Sequence, residues 1–516
     1  MYIGDYLGRR ELYSPNKLAF IDAGKNPEWL LTYQQANQRA NRLANWLQSK
    51  GIAKGDRVAI LARDGYEHLD TFFACSKLGA VHTALNWRLS WHELVEIFRF
   101  VQPKVLIFSE DFRANVEQLI AEFPLMIVHL DGSGIENASF HSDHFESCLQ
   151  AMPDIPVTCD TLEAEDIAAL IFTGGTTGLP KAAQVSHRMI AWNTLNTVIH
   201  DVTHNDIYLN VFPMFHTGGL FVYTLPQVIF GGTTILIRQF DPVQVLSLIE
   251  REKVTIFGAV PTMYQMLTTA SNWSSSNLSS LRFCTSGGAP LPVPLVEKYT
   301  AEKGIRFKQG FGMTEFGPGI FALAPGDAIR KAGSIGRPNF YVDARIVDDG
   351  NNFLGPNEEG ELVLKGPSYS SGYYANPSAS KEVLDERGFF HTGDIARYDS
   401  EGYFFIVDRK KDMFISGGEN IYPAEVEKVL YQHPSVHMCA VIGLPDPKWG
   451  EVGKACVVLK LNVEITQAEL LIFMQERLAK FKVPKSVTFL PSLPISAAGK
   501  ILKRELRQMF IQSNKQ

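Results

Sequence analysis

The chain has 516 residues, of which 45% are hydrophobic and 20% are charged, and its formal net charge is −6. This length predicts several domains, the composition is ordinary for a soluble globular protein, and the mild acidity gives no reason to expect a nucleic-acid partner. The six cysteines include no C-x-x-C pair, so neither a disulfide framework nor a zinc site is expected, and a reducing compartment fits best.

Two segments bear on membranes. Residues 1–10 lack the basic-then-apolar order of a signal peptide. The most apolar region, residues 208–237, is broken by prolines and glycines, whereas a membrane-spanning helix needs about 20 uninterrupted apolar residues. We therefore expect buried core in this region, no transmembrane segment, and a cytoplasmic protein.

The N-terminal part alternates helical and strand patterns. Thr32 can cap a helix that ends at Gly51. Apolar runs at residues 57–61, 81–85 and 105–108 are typical of buried strands. Repeated alternation predicts an α/β fold with a large N-terminal domain of helix-covered parallel sheets. One face of the first long helix is apolar and consists of Ala36, Ala40, Leu43, Ala44 and Leu47.

The C-terminal part has a different pattern. After about residue 333, short strand-like pieces lie between Gly, Pro, Asn and Asp turns, which predicts a β-rich subdomain over residues 333–410. This subdomain would complete an N-terminal domain of residues 1–410. Residues 411–516 are mixed again and predict a small α+β C-terminal domain. The charged run at residues 408–412 marks the boundary as a candidate hinge, although a solvated turn would have the same composition.

A loop rich in glycine and threonine, residues 173–181, carries the strongest local signal. It reads Thr-Gly-Gly-Thr-Thr-Gly-Leu-Pro-Lys and follows an apolar strand at residues 168–172. Backbone N–H groups and threonine hydroxyls can donate to phosphate oxygens, and Lys181 adds a positive charge. No Gly-Lys-Ser/Thr triplet ends the loop, so it is not a Walker loop. A flexible surface loop is the weaker alternative, and the pattern predicts phosphate binding.

Seven further motifs lie along the rest of the chain: Pro-Met-Phe-His-Thr-Gly-Gly at 213–219, Ser-Gly-Gly-Ala-Pro at 286–290, Gln-Gly-Phe-Gly-Met-Thr-Glu at 309–315, His-Thr-Gly-Asp at 391–394, Asp-Arg at 408–409, Ser-Gly-Gly-Glu-Asn at 416–420 and Pro-Ile-Ser-Ala-Ala-Gly-Lys at 494–500. Together with the loop they resemble the adenylate-forming superfamily, which holds acyl-CoA synthetases, peptide-synthetase adenylation domains and firefly-type luciferases. The resemblance runs from about Leu31 to Arg507. It implies an enzyme that activates a carboxylic acid with ATP, forms an acyl-adenylate and transfers the acyl group to a thiol.

The resemblance implies an ATP site in which the loop handles the β- and γ-phosphates. Residues 288–290 and Phe311 would bracket the adenine, although the family more often has Tyr at the position of Phe311. Thr314 would lie near the α-phosphate. Asp394 would accept both ribose hydroxyls with Arg409 behind it, because a carboxylate offers two oxygens to a vicinal diol. The residues implied for ATP are Thr173, Gly174, Gly175, Thr176, Thr177, Gly178, Lys181, Gly288, Ala289, Pro290, Gln309, Gly310, Phe311, Gly312, Met313, Thr314, Asp394 and Arg409.

The resemblance also implies a metal ion and a catalytic lysine. Glu315, together with Thr173, would hold Mg²⁺, because a hard cation prefers oxygen ligands. Lys500 would bridge the acid carboxylate and the phosphate as they approach, because a lysine is positive at pH 7. This role is electrostatic and transfers no proton. The motif departs from the family's usual Arg/Lys-Thr pattern at Ile495 and Ser496.

The thiol step involves a gate and a hinge. The resemblance places His216 at the wall between the acid pocket and the thiol tunnel, as a gate and not as a general base. A lone histidine on an apolar segment is otherwise more often a core residue. A hinge at Lys411 would move Lys500 out of the site between the two steps, so we expect a mobile C-terminal domain. The residues implied for coenzyme A, unless they form an ordinary turn, are Ser416, Gly417 and Gly418.

The identity of the acid is the least specified part of the prediction. Superfamily members that activate amino acids have an aspartate where this chain has His216, so an α-amino acid is disfavoured. No carrier-like domain follows Arg507, which favours coenzyme A as the acceptor. We expect a medium- or long-chain fatty acid, with a cinnamate- or benzoate-type aryl acid as the alternative. The small or apolar candidate walls of the acid pocket are residues 218–222, 258–262, 286–288 and 310–313.

Other interpretations stay open. An enzyme of the superfamily could load a separate carrier protein or oxidise its adenylate with light emission. A binding protein of the same fold could lack catalysis, although intact Lys500, Glu315 and Asp394 argue against it. A homodimer is one candidate assembly.

Overall fold

The structure is a computed structural model that describes residues 3–131, 140–173, 181–197, 201–289, 291–410, 412–416, 419–478, 480, 482–495 and 501–513. The chain divides into two compact units. The first comprises Met1–Asp343 and Lys365–Phe390, and the second comprises Ala344–Leu364 and His391–Gln516. Within the described ranges, no helix combines the length and the apolar character that a membrane span requires.

The first unit contains a seven-stranded sheet made of short, largely buried strands. Its strands pair in parallel except at one edge, where Lys181–Ser186 runs antiparallel to Ile167–Thr173. Near-continuous apolar runs such as Val105–Phe108 suit a parallel sheet that is buried on both faces. The strands in spatial order are Asp143–His144, Met126–His129, Val105–Phe108, Arg57–Leu61, Val81–Ala84, Ile167–Thr173 and Lys181–Ser186.

A nine-stranded sheet completes the framework of the first unit. Its central strands pair in parallel, and antiparallel strands close both edges. The predicted helix-covered parallel sheets are thus confirmed. The strands in spatial order are Arg337–Pro338, Phe321–Leu323, Phe307–Phe311, Phe283–Ser286, Ile256–Ala259, Ile207–Asn210, Thr233–Leu236, Leu18–Asp22 and Trp29–Thr32.

Helices alternate with these strands along the chain. Thr32 caps Tyr33–Ser49 by accepting a bond from the Gln35 backbone N–H, and the Gln35 side chain bonds back to the Thr32 N–H. The predicted apolar face of this helix is fully buried, which confirms the prediction. The helices of the first unit are Tyr6–Glu11, Tyr33–Ser49, Tyr66–Leu78, Trp91–Val101, Arg113–Glu122, Phe145–Gln150, His187–Thr197, Thr224–Phe230, Pro242–Arg251, Pro261–Thr268, Val293–Lys303 and Pro377–Glu382.

The second unit is built on two smaller sheets. A four-stranded sheet has the order Asp343–Val347, Gly360–Lys365, Phe390–Tyr398 and Phe404–Arg409. In a five-stranded sheet, Gly450–Leu459 pairs with three other strands, and its longest pairing is antiparallel to Val436–Asp446. The other strands of this sheet are Phe414–Ser416, Glu419–Ile421 and Ser486–Phe489. The helices of the second unit are Pro423–Leu430, Gln467–Gln475 and Lys503–Ser513.

A partly buried ion pair joins two helices of the second unit. Lys503, the first residue of Lys503–Ser513, places its ammonium 2.8 Å from the Glu427 carboxylate. That carboxylate also accepts a bond from the Val441 backbone N–H at 2.7 Å. Burial raises the pKa of Glu427, while Lys503 opposes the rise. The pair therefore links the start of the last helix to Pro423–Leu430.

The division into units bears on the predicted domain boundary. Sequence patterns assigned the β-rich subdomain to the N-terminal domain, whereas the four-stranded sheet groups with residues 391–516. One reason is local: the Asp408 carboxylate, near the end of that sheet, accepts a bond from the Ala424 backbone N–H at 2.8 Å. The boundary after residue 410 and the hinge stay predictions.

Candidate active site

The predicted phosphate loop joins two paired strands. Thr173 ends one strand, Lys181 begins the next, and the two residues are register partners in an antiparallel pair. The Thr173 hydroxyl donates to the Lys181 carbonyl at 3.4 Å. The hairpin therefore fixes both ends of the loop. The residues between them that were predicted to bind phosphate, Gly174, Gly175, Thr176, Thr177 and Gly178, lie outside the described residues.

Four parallel strands of the nine-stranded sheet lead into the other predicted site segments. Carboxyl ends of parallel strands share an edge, and open α/β sheets bind ligands there. The segments that follow contain His216, residues 260–262, Gly288 and Thr314. The structure thus brings together residues predicted for the gate, the acid pocket and the nucleotide. In pairing order the strands are Ile207–Asn210, Ile256–Ala259, Phe283–Ser286 and Phe307–Phe311.

The predicted adenine wall begins in the turn after Phe283–Ser286. Gly288 has a φ of +80°, a left-handed conformation that favours glycine, and Ala289 follows it. Gln309 on the neighbouring strand accepts a bond from the Leu291 backbone N–H at 3.2 Å. Gln309 therefore fastens the end of this turn. Pro290 lies outside the described residues.

The second predicted wall continues from Gly310 and Phe311. The half-buried Phe311 ring lies edge-on to Phe321, with 5.8 Å between ring centroids. A side chain at Gly312 would place its Cβ 2.0 Å from the Pro318 carbonyl oxygen, so the chain passes itself too closely there for any larger residue. Met313 is extended and leads into the single helical turn Thr314–Phe316. This turn presents Thr314 and Glu315 next to the wall.

Glu315 is held by the segment 370–373. Its backbone carbonyl accepts a bond from the Ser370 N–H at 2.8 Å, and its carboxylate Oε1 accepts a bond from the Tyr373 hydroxyl at 2.8 Å. Burial and the Glu315 charge raise the pKa of Tyr373 well above its ordinary value. The hydroxyl therefore stays protonated and donates. Sequence reasoning missed Tyr373, because no local pattern relates it to a residue 58 positions earlier.

Tyr373 also contacts the end of the phosphate loop. The Lys181 ammonium lies over the Tyr373 ring, 4.8 Å from its centroid. Residues 372–374 run beside the strand that Lys181 begins, with bonds from the Gln184 N–H to the Gly372 carbonyl and from the Tyr374 N–H to the Ala182 carbonyl. Thr173, Lys181, Tyr373 and Glu315 thus form one continuous set of contacts.

The donors predicted for Mg²⁺ are oxygen atoms, as a hard cation requires. In the part of the chain that the structure describes, no group of three or more His, Cys, Asp or Glu side chains could hold a metal ion. The predicted set offers one carboxylate, from Glu315, and one hydroxyl, from Thr173, and phosphate oxygens of ATP would have to complete it. This arrangement is usual for Mg²⁺, which keeps few protein ligands.

His216 lies in a loop anchored by a carboxylate. The His216 backbone N–H donates to the Pro213 carbonyl at 3.0 Å, and its ring packs against Phe215 with centroids 4.6 Å apart. The Met214 N–H donates to the Asp64 carboxylate at 2.7 Å. Burial raises the pKa of Asp64 to about 7, although Met214 and two arginines oppose the rise. The sequence analysis did not single out Asp64. The pattern that could have pointed to it is a charged residue three positions after the buried strand at 57–61.

The predicted acid-pocket walls meet around Gly258. A Cβ at Gly258 would lie 3.2 Å from the Phe212 ring and 3.5 Å from the Tyr223 ring. The Tyr223 hydroxyl shares a 2.7 Å hydrogen bond with Thr285, on the next strand. The side of Gly258 that would carry a side chain is therefore covered by two aromatic rings. The predicted segment Gly218–Val222 forms a short wide helical turn that leads directly into Tyr223.

Asp394 and Arg409 are partners in the second unit. They are register neighbours on the antiparallel strands Phe390–Tyr398 and Phe404–Arg409. Arg409 Nε lies 2.6 Å from the Asp394 carboxylate, and the Asp394 N–H donates to the Thr392 hydroxyl at 3.0 Å. The pairing that the resemblance implied between these two residues is therefore present in the geometry.

Ser416 ends a strand of the five-stranded sheet and pairs with Gly450. The neighbouring Trp449 has an exposed side chain, and the Lys448 and Lys485 ammonium groups lie 4.9 and 5.7 Å from its ring centroid. Sequence reasoning missed Trp449, whose signal is a lone tryptophan in a polar turn. The remaining predicted residues of this part, Lys411, Gly417, Gly418 and Lys500, lie outside the described residues.

Comparison with known proteins defines the family. The AMP-binding enzyme family matches residues 9–374, and the AMP-binding enzyme C-terminal domain matches residues 425–500. The chain belongs to this adenylate-forming family and is an AMP-forming acid–CoA ligase, with an acid, ATP and coenzyme A as substrates. The solved structure of ATP-bound MatB from Rhodopseudomonas palustris is similar, with a TM-score of 0.90, 31% identity and 99% of each chain covered.

Several curated relatives are ligases with different acids in their names. A feruloyl-CoA synthase from Amycolatopsis sp is 42% identical, covering 98% of this chain and 99% of its own. An indoleacetate–CoA ligase from Aromatoleum aromaticum is 34% identical, covering 99% and 98%. A long-chain-fatty-acid–CoA ligase, FadD13, from Mycobacterium tuberculosis is 37% identical, covering 98% of each. These relatives leave the expected fatty acid unconfirmed and give the aryl alternative better support.

Proposed function

We propose that this ligase activates an aryl acid of the cinnamate class. The observation that carries the proposal is the pair of aromatic rings, Phe212 and Tyr223, that lies against Gly258 in the predicted acid pocket. Aromatic rings favour stacked or edge-on contact with another ring, so a planar acid suits a pocket that these rings line. The similarity to feruloyl-CoA synthase and to indoleacetate–CoA ligase gives independent support.

A medium- or long-chain fatty acid is the second candidate. Its support is the 37% identity to a long-chain-fatty-acid–CoA ligase. A flexible chain needs a long apolar channel, whereas the hydroxyls of Tyr223 and Thr285 put polar atoms near Gly258. This polar pair favours the aryl acid, whose ring carries polar substituents in compounds such as ferulate.

The charged residues of the proposed site each have a role in the adenylation step. In the proposed site, Lys181 neutralises phosphate charge, Asp394 holds the ribose with Arg409 behind it, and Lys500 bridges the acid carboxylate and the α-phosphate. Bound Mg²⁺, held by Glu315 and Thr173, would offset the charge of the phosphates. The carboxylate then attacks the α-phosphate and pyrophosphate leaves. His216 would form the gate to the thiol tunnel.

The thiol step needs a place for coenzyme A. Trp449 offers an exposed ring on which the adenine of coenzyme A can stack, and Lys448 and Lys485 offer charge to its phosphates. Ser416 pairs with Gly450 beside that ring, so residues 416–418 would line the route of the thiol arm. A hinge at Lys411, a cytoplasmic location and a homodimer remain predictions from the sequence.

An acid panel tests the proposal. Pyrophosphate release and acyl-CoA formation are measured with ferulate, 4-coumarate, cinnamate, benzoate, hexanoate and palmitate, with and without coenzyme A. We expect kcat/KM to be at least tenfold higher for a hydroxycinnamate than for either fatty acid. A higher value for palmitate would replace the aryl proposal with the fatty-acid one, and pyrophosphate release without acyl-CoA would refute coenzyme A as the acceptor.

Lys500→Ala tests the division between the two steps. We expect it to abolish adenylate formation from acid and ATP, because the bridging charge is lost. Acyl transfer from a supplied feruloyl-adenylate to coenzyme A should continue. Equal loss of both steps would contradict the role proposed for Lys500.

A further inference from the structure

Tyr373 contacts two groups of the proposed ATP site, Glu315 and Lys181. Its hydroxyl donates to Glu315 Oε1 at 2.8 Å, and its ring lies 4.8 Å beneath the Lys181 ammonium. The side chain is 8% exposed, so both contacts are shielded from water. One residue thus contacts the proposed metal ligand and the cation at the end of the phosphate loop.

The backbone around Tyr373 is fixed on both sides. The Tyr374 N–H donates to the Ala182 carbonyl, and the Tyr373 N–H donates to the Ser380 hydroxyl at 2.8 Å. The Ser370 hydroxyl donates to the Gln184 carbonyl at 2.8 Å. Because these bonds set where the ring begins, the hydroxyl can hold the Glu315 carboxylate in one orientation.

We propose that Tyr373 is a positioning residue that orients Glu315 for the metal ion of the ATP complex. The proposal rests on the proposed function of Glu315. The hydroxyl occupies Oε1, which leaves Oε2 for the ion, and a carboxylate already held in one rotamer loses less freedom when the ion binds. Hydrogen-bond partners of metal-binding carboxylates commonly contribute about 10- to 100-fold to metal affinity.

Tyr373→Phe isolates the hydroxyl, because the ring beneath Lys181 is kept. ATP binding is measured by calorimetry on the full chain, once with excess Mn²⁺ and once with excess EDTA. We expect the ATP dissociation constant of the variant to rise about tenfold with Mn²⁺ and less than twofold with EDTA. Tyr374→Phe is the matched control, since it removes a hydroxyl from the adjacent residue, and it should match the wild type in both media.

Tyr373→Leu gives a second measurement. It removes the ring as well, so ATP binding should weaken in EDTA too, because Lys181 loses its aromatic support. Equal weakening of Tyr373→Phe in both media would show a purely structural role and overturn the proposal, as would unchanged or tighter binding with Mn²⁺. A wild-type chain whose ATP affinity does not respond to Mn²⁺ would instead overturn the metal site itself, and the inference with it.

Discussion

Arg409 Nε lies 2.6 Å from the Asp394 carboxylate, and the two residues face each other across paired antiparallel strands. Asp394 is almost fully buried, whereas the Arg409 side chain is 40% exposed. A buried carboxylate keeps its charge when it has such a partner. Arg409 therefore fixes the orientation of the carboxylate that the proposed ribose contact requires.

Arg409→Gln should weaken ATP use without unfolding the chain. Loss of the charged partner should raise the KM for ATP about tenfold, because hydrogen bonds to charged groups contribute about 1.5–3 kcal/mol. Initial rates of pyrophosphate release against ATP concentration provide the measurement. Arg397→Gln, on the same strand as Asp394, is the control and should stay within twofold. A KM for ATP equally raised in both variants would mean a general effect of lost positive charge.

Gly258→Ala should change the preference among acids. The added methyl would lie 3.2 Å from the Phe212 ring, closer than comfortable packing. Overpacking of this kind costs about 1–3 kcal/mol, so kcat/KM for ferulate should fall about tenfold or more, and that for hexanoate should fall less. Gly326→Ala, where a Cβ has open space, is the control. An equal fall in kcat/KM for ferulate and for hexanoate would contradict the placing of Gly258 in the acid pocket.

Asp64→Asn should flatten the pH dependence of stability. Burial raises the pKa of Asp64 from near 4 to about 7 in the folded chain, so the folded state binds more protons than the unfolded state between these values. The stability of the wild type therefore falls as pH rises from about 4 to 7, and this contribution disappears in the variant.

Thermal midpoints of both proteins between pH 5 and pH 8 test this expectation. The thermal midpoint of Asp64→Asn should rise relative to that of the wild type as pH rises. The midpoint of Asp111→Asn, a change at an exposed residue, should show no such rise. A constant difference between Asp64→Asn and wild type across this range would contradict the raised pKa.

Lys503→Met should destabilise the second unit. It leaves the partly buried Glu427 carboxylate without its cation, and hydrogen bonds to charged groups contribute about 1.5–3 kcal/mol. The double variant Lys503→Met/Glu427→Gln should recover part of the loss, since no unpaired charge remains. Urea unfolding followed by circular dichroism measures both. Lys298→Met, which breaks an exposed pair with Glu302, should cost less than about 1 kcal/mol.

The sequence predicts local structure well here and long-range contacts poorly. The helix capped by Thr32, the parallel sheets and the strand that ends at Thr173 follow from short-range patterns of apolar residues and caps. The contact of Asp64 with Met214 joins residues 150 positions apart, and that of Tyr373 with Glu315 joins residues 58 apart. Such pairs depend on how strands and turns stack in space, and no periodicity within a short window records that.

The acid could not be derived from the sequence for a related reason. Gly258 was recognised as a small residue, which suits a fatty acid and an aryl acid equally well. The side chains that face the glycine bear on this choice, and two of them, Phe212 and Tyr223, come from other segments. Shape around a residue is a property of the packed fold.

Because residue 258 is a glycine, a substitution there can only add side-chain volume. Every substitution adds atoms in the same direction, toward the rings of Phe212 and Tyr223, and none can remove any. With Gly258 in the proposed acid pocket, a single mutation at residue 258 would therefore narrow the range of acids. Accepting bulkier acids would require a smaller residue in place of Phe212 or Tyr223. Because each ring also packs against other residues, such a change would disturb the core as well.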